Sequence, residues 1–204
     1  MFVLMIQVVR VDLAAVPIWQ YLVSDDNINF NQVIADIYKI KKTDEGRIVS
    51  NIGGWQSNSF SLNSQNKNTE IDKLMQYIQN NVQICHEQLK IRSIFQNLSI
   101  DYWININSFD HANSKHSHPG AIISGSVYIK VPKNSGNIYF CPNIMEHYYY
   151  ETYTEFNTDF AHTETEFIAE EKKVILFPSF LPHYVSRNKS HEDRISIAFN
   201  LHPH

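Results

Sequence analysis

Between Asn29 and Lys42 the side chains of Phe30, Val33, Ile34, Ile37, Tyr38 and Lys41 recur at spacings of three and four, with polar residues between them. That is the period of an amphipathic helix, and Thr43-Asp-Glu-Gly46 supplies its stop. A second stripe, Ile71, Leu74, Met75, Ile78, Val82, Cys85 and Leu89, follows Thr69, with the acids Glu70 and Asp72 in its first turn. The spacing predicts a helix starting at Thr69 and lying along the outside of a sheet. The Asn-, Ser- and Gln-rich stretch from Ser57 to Thr69 reads as a loop.

From Leu98 the period changes to two. Ile100, Tyr102, Ile104 and Ile106 alternate with Asp101, Trp103, Asn105 and Asn107, a strand whose two faces meet different surroundings. Further strands are predicted at Ala121 to Val131, Asn137 to Cys141, Glu164 to Ala169, Lys173 to Phe177, His183 to Arg187 and Arg194 to Leu201. Pro, Gly, Asn and Ser punctuate them. So many short strands pack most economically as an antiparallel barrel or jelly roll with helices on an outer face, a mainly β, α+β architecture. At 204 residues one domain is expected, with 1–97 as a helix-containing N-terminal support and 98–204 as the core. The aromatic segment Met145 to His162 interrupts the strand rhythm, and its stretch Tyr148 to Phe160 could serve as a lid.

Composition narrows the chemistry. A net charge of -4 offers no global basic field, which disfavours nucleic acid as a partner. Two cysteines, Cys85 and Cys141, exclude a disulfide-dense scaffold and an all-cysteine metal site. The N-terminal apolar run has no basic flank or cleavage site and is too short for a bilayer, so no membrane association is expected and the default compartment is cytoplasmic. The strand-like Val3 to Val11 could pair within or between subunits, making an oligomer possible. Histidine is the informative residue: nine of ten lie after residue 102.

His116-Ser-His118 places two imidazoles two residues apart, on the same face if the segment is a strand, so both could reach one ion. His183 precedes a six-residue polar connection, Asn188 to Asp193, into the next strand. An antiparallel hairpin there would pair Arg187 with Arg194 and His183 with Ala198, putting Arg194 and Ser196 on the face of His183 at about 13 Å. A five-carbon dicarboxylate would bridge that gap, one end on a metal at His183 and the other in the fork of Arg194, with the Ser196 hydroxyl as an added donor.

Several longer stretches then carry a resemblance: Ser50-Asn-Ile-Gly-Gly-Trp-Gln-Ser57, Trp103-Ile-Asn-Ile-Asn107, His116-Ser-His-Pro-Gly120, Ser124-Gly-Ser-Val-Tyr128, Phe177-Pro-Ser-Phe-Leu-Pro-His183 and Arg194-Ile-Ser-Ile-Ala-Phe-Asn200. Over most of its length the chain resembles the 2-oxoglutarate/Fe(II)-dependent oxygenases of marine bacteria and their phages. The resemblance implies a double-stranded β-helix (jelly roll, cupin-like), Fe(II) bound by His116, His118 and His183, and 2-oxoglutarate as cosubstrate. It further implies Arg194, Ser196 and Tyr128 at the cosubstrate, oxidation of a substrate C–H bond by dioxygen, and a host-cytoplasmic location if the protein is phage-encoded. The chain departs from the wider superfamily at His118, where an acid is usual, which leaves three neutral imidazoles one negative charge short unless Asp110 or water completes the shell. Trp103, Phe177 and Phe180 are candidate pocket walls. His86, His111, His147, His162, His191, His202 and His204 are read as surface residues. Two alternatives stay open: a three-histidine zinc hydrolase or lyase, and a non-catalytic jelly-roll binding module.

Overall fold

The structure is a computed structural model that describes residues 16–62, 69–82, 85, 87–88, 98–141 and 164–203. Helix α1 spans Phe30–Thr43, and the side chain of Asn29 caps it by accepting from the Gln32 amide at 3.1 Å. Lys41 and Lys42 in its last turn complement the helix dipole, and Asp44 ends it. Helix α2, Glu70–Asn81, opens with a reciprocal box: Thr69 Oγ1 accepts from the Asp72 amide, and an Asp72 carboxylate oxygen accepts from the Thr69 amide. Cys85 beyond it is buried, while Leu89 lies outside the described residues.

The strands are β1 (Trp19–Leu22), β2 (Asn51–Ile52), β3 (Trp55–Gln56), β4 (Phe60–Ser61), β5 (Leu98–Asn107), β6 (Ala112–His116), β7 (Ile123–Lys130), β8 (Ile138–Phe140), β9 (Thr165–Phe167), β10 (Lys173–Pro178), β11 (His183–Val185) and β12 (Arg194–Pro203). They form two antiparallel sheets. The larger runs β1-β10-β7-β12-β5-β3, with β4 also on β5, and the smaller runs β2-β6-β11-β8-β9. This is the mainly β, jelly-roll architecture expected, with two helices outside it.

Each face of the larger sheet follows from the period-two pattern. Ile195, Ile197, Phe199 and Leu201 of β12 and Ile100, Tyr102, Ile104 and Ile106 of β5 point outward and are buried. Val33 and Ile37 of α1 and Ile71, Leu74, Met75 and Ile78 of α2 cover them in one apolar cluster. The inner face packs on the smaller sheet through Tyr128, Ile175 and Phe177 against Ile138, Phe140 and Leu181. The intervening space is where the polar positions Asn105, Arg194 and Ser196 gather.

Two expectations are corrected. β11 and β12 do not form a hairpin: β11 pairs with β6 and β8 in the smaller sheet, whereas β12 pairs with β5 and β7 in the larger. Asn188 to Asp193 is therefore a crossing between sheets, held by the Asn188 side chain donating to the Asn107 and Glu192 carbonyls at 2.8 Å each. The Ser57 to Thr69 loop contains β4, whose Phe60 pairs with Tyr102 and stacks on it at 5.4 Å. Finally, β1, β2, β3 and β6 carry no strand signal long enough to read. The N-terminal pairing of Val3 to Val11 and the lid at Tyr148 to Phe160 lie outside the described residues.

Phe199 is fully buried, and its ring lies so close to Gly125 that a Cβ there would sit 2.5 Å from Cζ. Phe199→Ala should lower the unfolding free energy by about 3–5 kcal/mol in denaturant titrations, whereas Ile52→Ala, at an exposed position, should change it by less than about 0.5 kcal/mol.

Candidate metal and dicarboxylate site

His116 ends β6 and pairs across the smaller sheet with His183, the first residue of β11. His118 is not on the strand; it lies in the loop after β6, where its amide donates to the Ser179 carbonyl at 2.9 Å. One ligand nitrogen from each imidazole lies within 4.8 Å of the others. The backbone fixes two of the rings. His116 Nδ1 lies 2.7 Å from the Ser114 carbonyl and His183 Nδ1 3.0 Å from the Leu181 carbonyl. A carbonyl only accepts, so each Nδ1 carries the proton and each Nε2 keeps its lone pair for a ligand. The Nε2 atoms of His118 and His183 are 3.3 Å apart, so a proton or a cation must lie between them if two lone pairs are not to face each other.

Burial keeps these rings uncharged. It pushes His118 down to about 3, with help from His183 and His116, and His183 down to about 4, with help from His116. His116 is lowered by the same cause. The Trp103 ring stacks on His118 with centroids 5.6 Å apart, and Phe177 packs against His183 at 4.6 Å.

The opposite wall belongs to the larger sheet. Arg194 is the largest fully buried side chain, at 2% exposure, and none of its hydrogen bonds among the described residues goes to a carboxylate. Its Nη1 donates to the Ser135 carbonyl at 2.6 Å and the Ser186 carbonyl at 3.3 Å. Gly136 makes that approach possible, since a Cβ on it would meet Nη1 at 2.8 Å and the Ser186 carbonyl at 2.6 Å. Ser196 stands two residues on, directly opposite Tyr128 in β7 and Asn105 in β5. Burial pushes the Tyr128 phenol up to about 12, so it remains a donor. Asn105 Oδ1 is buried with no partner among the described residues. The space between the walls, its open mouth included, is about 530 Å3, and no acidic residue among the described residues lines it.

All six residues singled out in the sequence, His116, His118, His183, Arg194, Ser196 and Tyr128, line this one space, together with Trp103 and Phe177. Phe180 does not: it sits at the tip of the turn after β10 and is 67% exposed. Asp110 is not in the ligand group either. Arg187 and Lys189 hold its carboxylate at 2.7 and 2.6 Å, so it has its own countercharges. Ser50, Asn105 and Asn113 also line the space. Asn105 was legible as a polar residue on the face of Trp103, but nothing in the sequence told which face closed a cavity. Of the histidines read as surface residues, His111 caps a turn by accepting from the Ser108 amide and His191 stacks on Phe109. His202 faces the Gly120 carbonyl, and His86, His147, His162 and His204 lie outside the described residues.

Three uncharged imidazoles converge at one end of the cavity, donors of the kind that suit a metal ion, and at the other stands a guanidinium with no acidic partner among the described residues, flanked by hydroxyls. Residues 101–200, which carry all of these groups, match the sequence model of the family described as "Putative 2OG-Fe(II) oxygenase". The family is one of oxidoreductases that use Fe(II) and 2-oxoglutarate. No curated protein matches the chain in sequence. Among solved structures it is similar to a prolyl-4-hydroxylase of Pseudomonas putida (TM-score 0.64, 10% identity, covering 93% of this chain and 94% of that one). It is similar too to a prolyl hydroxylase of Trichoplax adhaerens, solved with a hypoxia inducible factor peptide fragment (TM-score 0.61, 13% identity, 91% and 83%). A third is HygX of Streptomyces hygroscopicus, solved with nickel and 2-oxoglutarate bound (TM-score 0.54, 10% identity, 92% and 83%).

Because the folded pKa values of His118 and His183 lie below the usual histidine value of 6.5, the unfolded chain binds more protons between that pH and about 4. Their contribution to stability is complete above pH 6.5 and is lost as pH falls toward 4. Thermal unfolding of the metal-free protein should show the midpoint falling across this window, with a shallower slope in His118→Gln.

Proposed function

We propose that His116, His118 and His183 hold Fe(II) and that Arg194, Ser196 and Tyr128 hold 2-oxoglutarate, making the protein a hydroxylase of an aliphatic C–H bond. One observation carries this reading: a buried guanidinium with no acidic partner among the described residues stands across one cavity from three uncharged imidazoles. The donor set fits the metal, since neutral imidazole nitrogens suit first-row divalent ions and three of them leave coordination positions open. With both groups bound, dioxygen oxidises the substrate while 2-oxoglutarate is decarboxylated to succinate.

The chain's own residues do the rest. The Ser114 and Leu181 carbonyls hold His116 and His183 in the tautomer that ligates through Nε2. Arg194 presents its fork to the distal carboxylate, already oriented by the Ser135 and Ser186 carbonyls. Tyr128 and Ser196, neighbours across β7 and β12, donate hydroxyls beside it. Trp103 and Phe177 flank the imidazoles with apolar surface and keep water from the metal side. A zinc hydrolase would give Arg194 no task.

We read the chain as one domain in which 1–97 supports the core 98–204. Two free, buried thiols support a cytoplasmic setting, and no helix among the described residues is long and apolar enough to cross a membrane.

Anaerobic titration of the metal-free protein with Fe(II) and 2-oxoglutarate should produce a weak charge-transfer band in the green. His183→Ala should abolish it. Arg194→Ala should weaken 2-oxoglutarate binding by about 2 kcal/mol while metal binding is retained. Simultaneous loss of both in a folded Arg194→Ala protein would refute this division of roles.

A further inference from the structure

Between the imidazole wall and the guanidinium wall the chain runs through one short crossing, Ser186 to Asp193, from β11 to β12. Whatever fixes that crossing fixes the separation of His183 from Arg194. Asn188 stands within it and is fully buried. Its Nδ2 donates to the Asn107 and Glu192 carbonyls at 2.8 Å each, and its Oδ1 accepts from the Ser190 amide at 2.7 Å. The bond to Asn107 is the informative one, since Asn107 is the residue directly opposite Arg194 in the pairing of β5 with β12. On its other side the crossing is fastened to the turn that orients the guanidinium. The Ser186 amide donates to the Asn137 carbonyl at 3.0 Å and the Lys189 amide to the Asn134 carbonyl at 2.9 Å. The two carbonyls that accept from Arg194 Nη1, those of Ser135 and Ser186, belong to the joint made in this way. His183 is held ahead of the crossing, by its pairing with β6 and β8 and by the Leu181 carbonyl, and none of these contacts involves Asn188.

We propose that Asn188 is a positioning residue for the guanidinium end of the cavity: its side chain bolts the crossing to the strand residue opposite Arg194, sets the reach from the guanidinium to the imidazoles, and so selects the chain length of the dicarboxylate. This rests on the site assignment made above. A ligand gripped at both ends tolerates little error in span. With the crossing held, a dicarboxylate one methylene longer must buckle or push the guanidinium off its two carbonyls; with the carboxamide gone, the crossing yields and the longer acid is accommodated. Replacing Asn188 by alanine cuts the side-chain bonds alone, because the backbone amide and carbonyl of residue 188 stay paired with His111 and Asp110.

The test measures, by anaerobic calorimetry, the binding of Mn(II) and then of 2-oxoglutarate and of 2-oxoadipate, its homologue one methylene longer, to the Mn(II)-loaded protein. The unaltered protein should prefer 2-oxoglutarate by roughly tenfold or more. Asn188→Ala should weaken 2-oxoglutarate roughly tenfold, leave 2-oxoadipate nearly unchanged, and keep its affinity for Mn(II). Asn188→Ser, whose hydroxyl retains one donor, should fall between the two. Ile78→Ala, which cuts into the apolar cluster between α2 and the larger sheet, serves as the control: it should lower the unfolding midpoint and keep the full preference. A folded Asn188→Ala protein with the preference intact overturns the proposal. So does loss of the preference in Ile78→Ala, or loss of Mn(II) affinity together with the preference in Asn188→Ala. Failure of both Asn188 variants to fold, by circular dichroism, also overturns it, since Asn188 is then a residue of the core and nothing more. An unaltered protein that binds Mn(II) and 2-oxoglutarate but does not distinguish the two acids overturns the length selection and leaves the ligand assignment standing. One that binds neither Mn(II) nor 2-oxoglutarate overturns the ligand assignment beneath it.

Discussion

A guanidinium is rarely sealed inside a protein without an acid beside it, because removing the charge from water costs several kcal/mol that only close partners can offset. Among the described residues Arg194 is buried in this way, and much of the local architecture answers to it. The turn at Ser135 and Gly136 brings carbonyl oxygens to Nη1, and glycine is the residue that lets the backbone come that near. The crossing segment after β11 contributes the Ser186 carbonyl. Two carbonyl dipoles satisfy part of the guanidinium's hydrogen-bonding capacity but do not cancel its charge, so the cavity is built around a demand for an anion.

The imidazole end is arranged by different means. His116 and His183 face each other because β6 and β11 are paired in register, and each ring is tethered through Nδ1 to a carbonyl two residues away in its own chain. His118 has no such tether. Its loop is pinned by the Ser179 carbonyl and its ring lies between the Trp103 indole and its two partners. Stacking on Trp103 and the Nε2 contact with His183, not a carbonyl on Nδ1, thus set the third imidazole's position among the described residues.

Long-period features were legible in the sequence and short ones were not. α1 and α2 declared themselves through apolar spacing, the start of α2 through Thr69 and its following acids, and β5 through its alternation, whereas the Asn29 cap of α1 became visible only in the structure. The two-residue strands β2, β3 and β4 exist only because longer strands offer them an edge, a tertiary effect that leaves no periodic trace. The same limit explains the hairpin error. Six polar residues between two strands suit a tight return, but they equally suit a crossing from one sheet to the other, and the choice is made by Asn188 reaching the Asn107 carbonyl 81 positions away. The site residues were readable even so, because their chemistry did not depend on which sheet carried them. Asn105 was not, since a polar residue on an alternating strand gains meaning only when the opposite wall is in place.

That opposite wall has a mechanical side. His116 and His183 belong to the smaller sheet, whereas Arg194, Ser196 and Tyr128 belong to the larger, so any ligand spanning the cavity is fastened to both. Among the described residues one apolar cluster, around Phe140 and Phe177, lies between the sheets, and another ties the larger sheet to the helices. A metal ion and a dicarboxylate held as proposed would therefore be a rivet through both layers. On that assignment, separating the two sheets and releasing the ligands would be one event, because neither sheet alone carries the whole set of contacts.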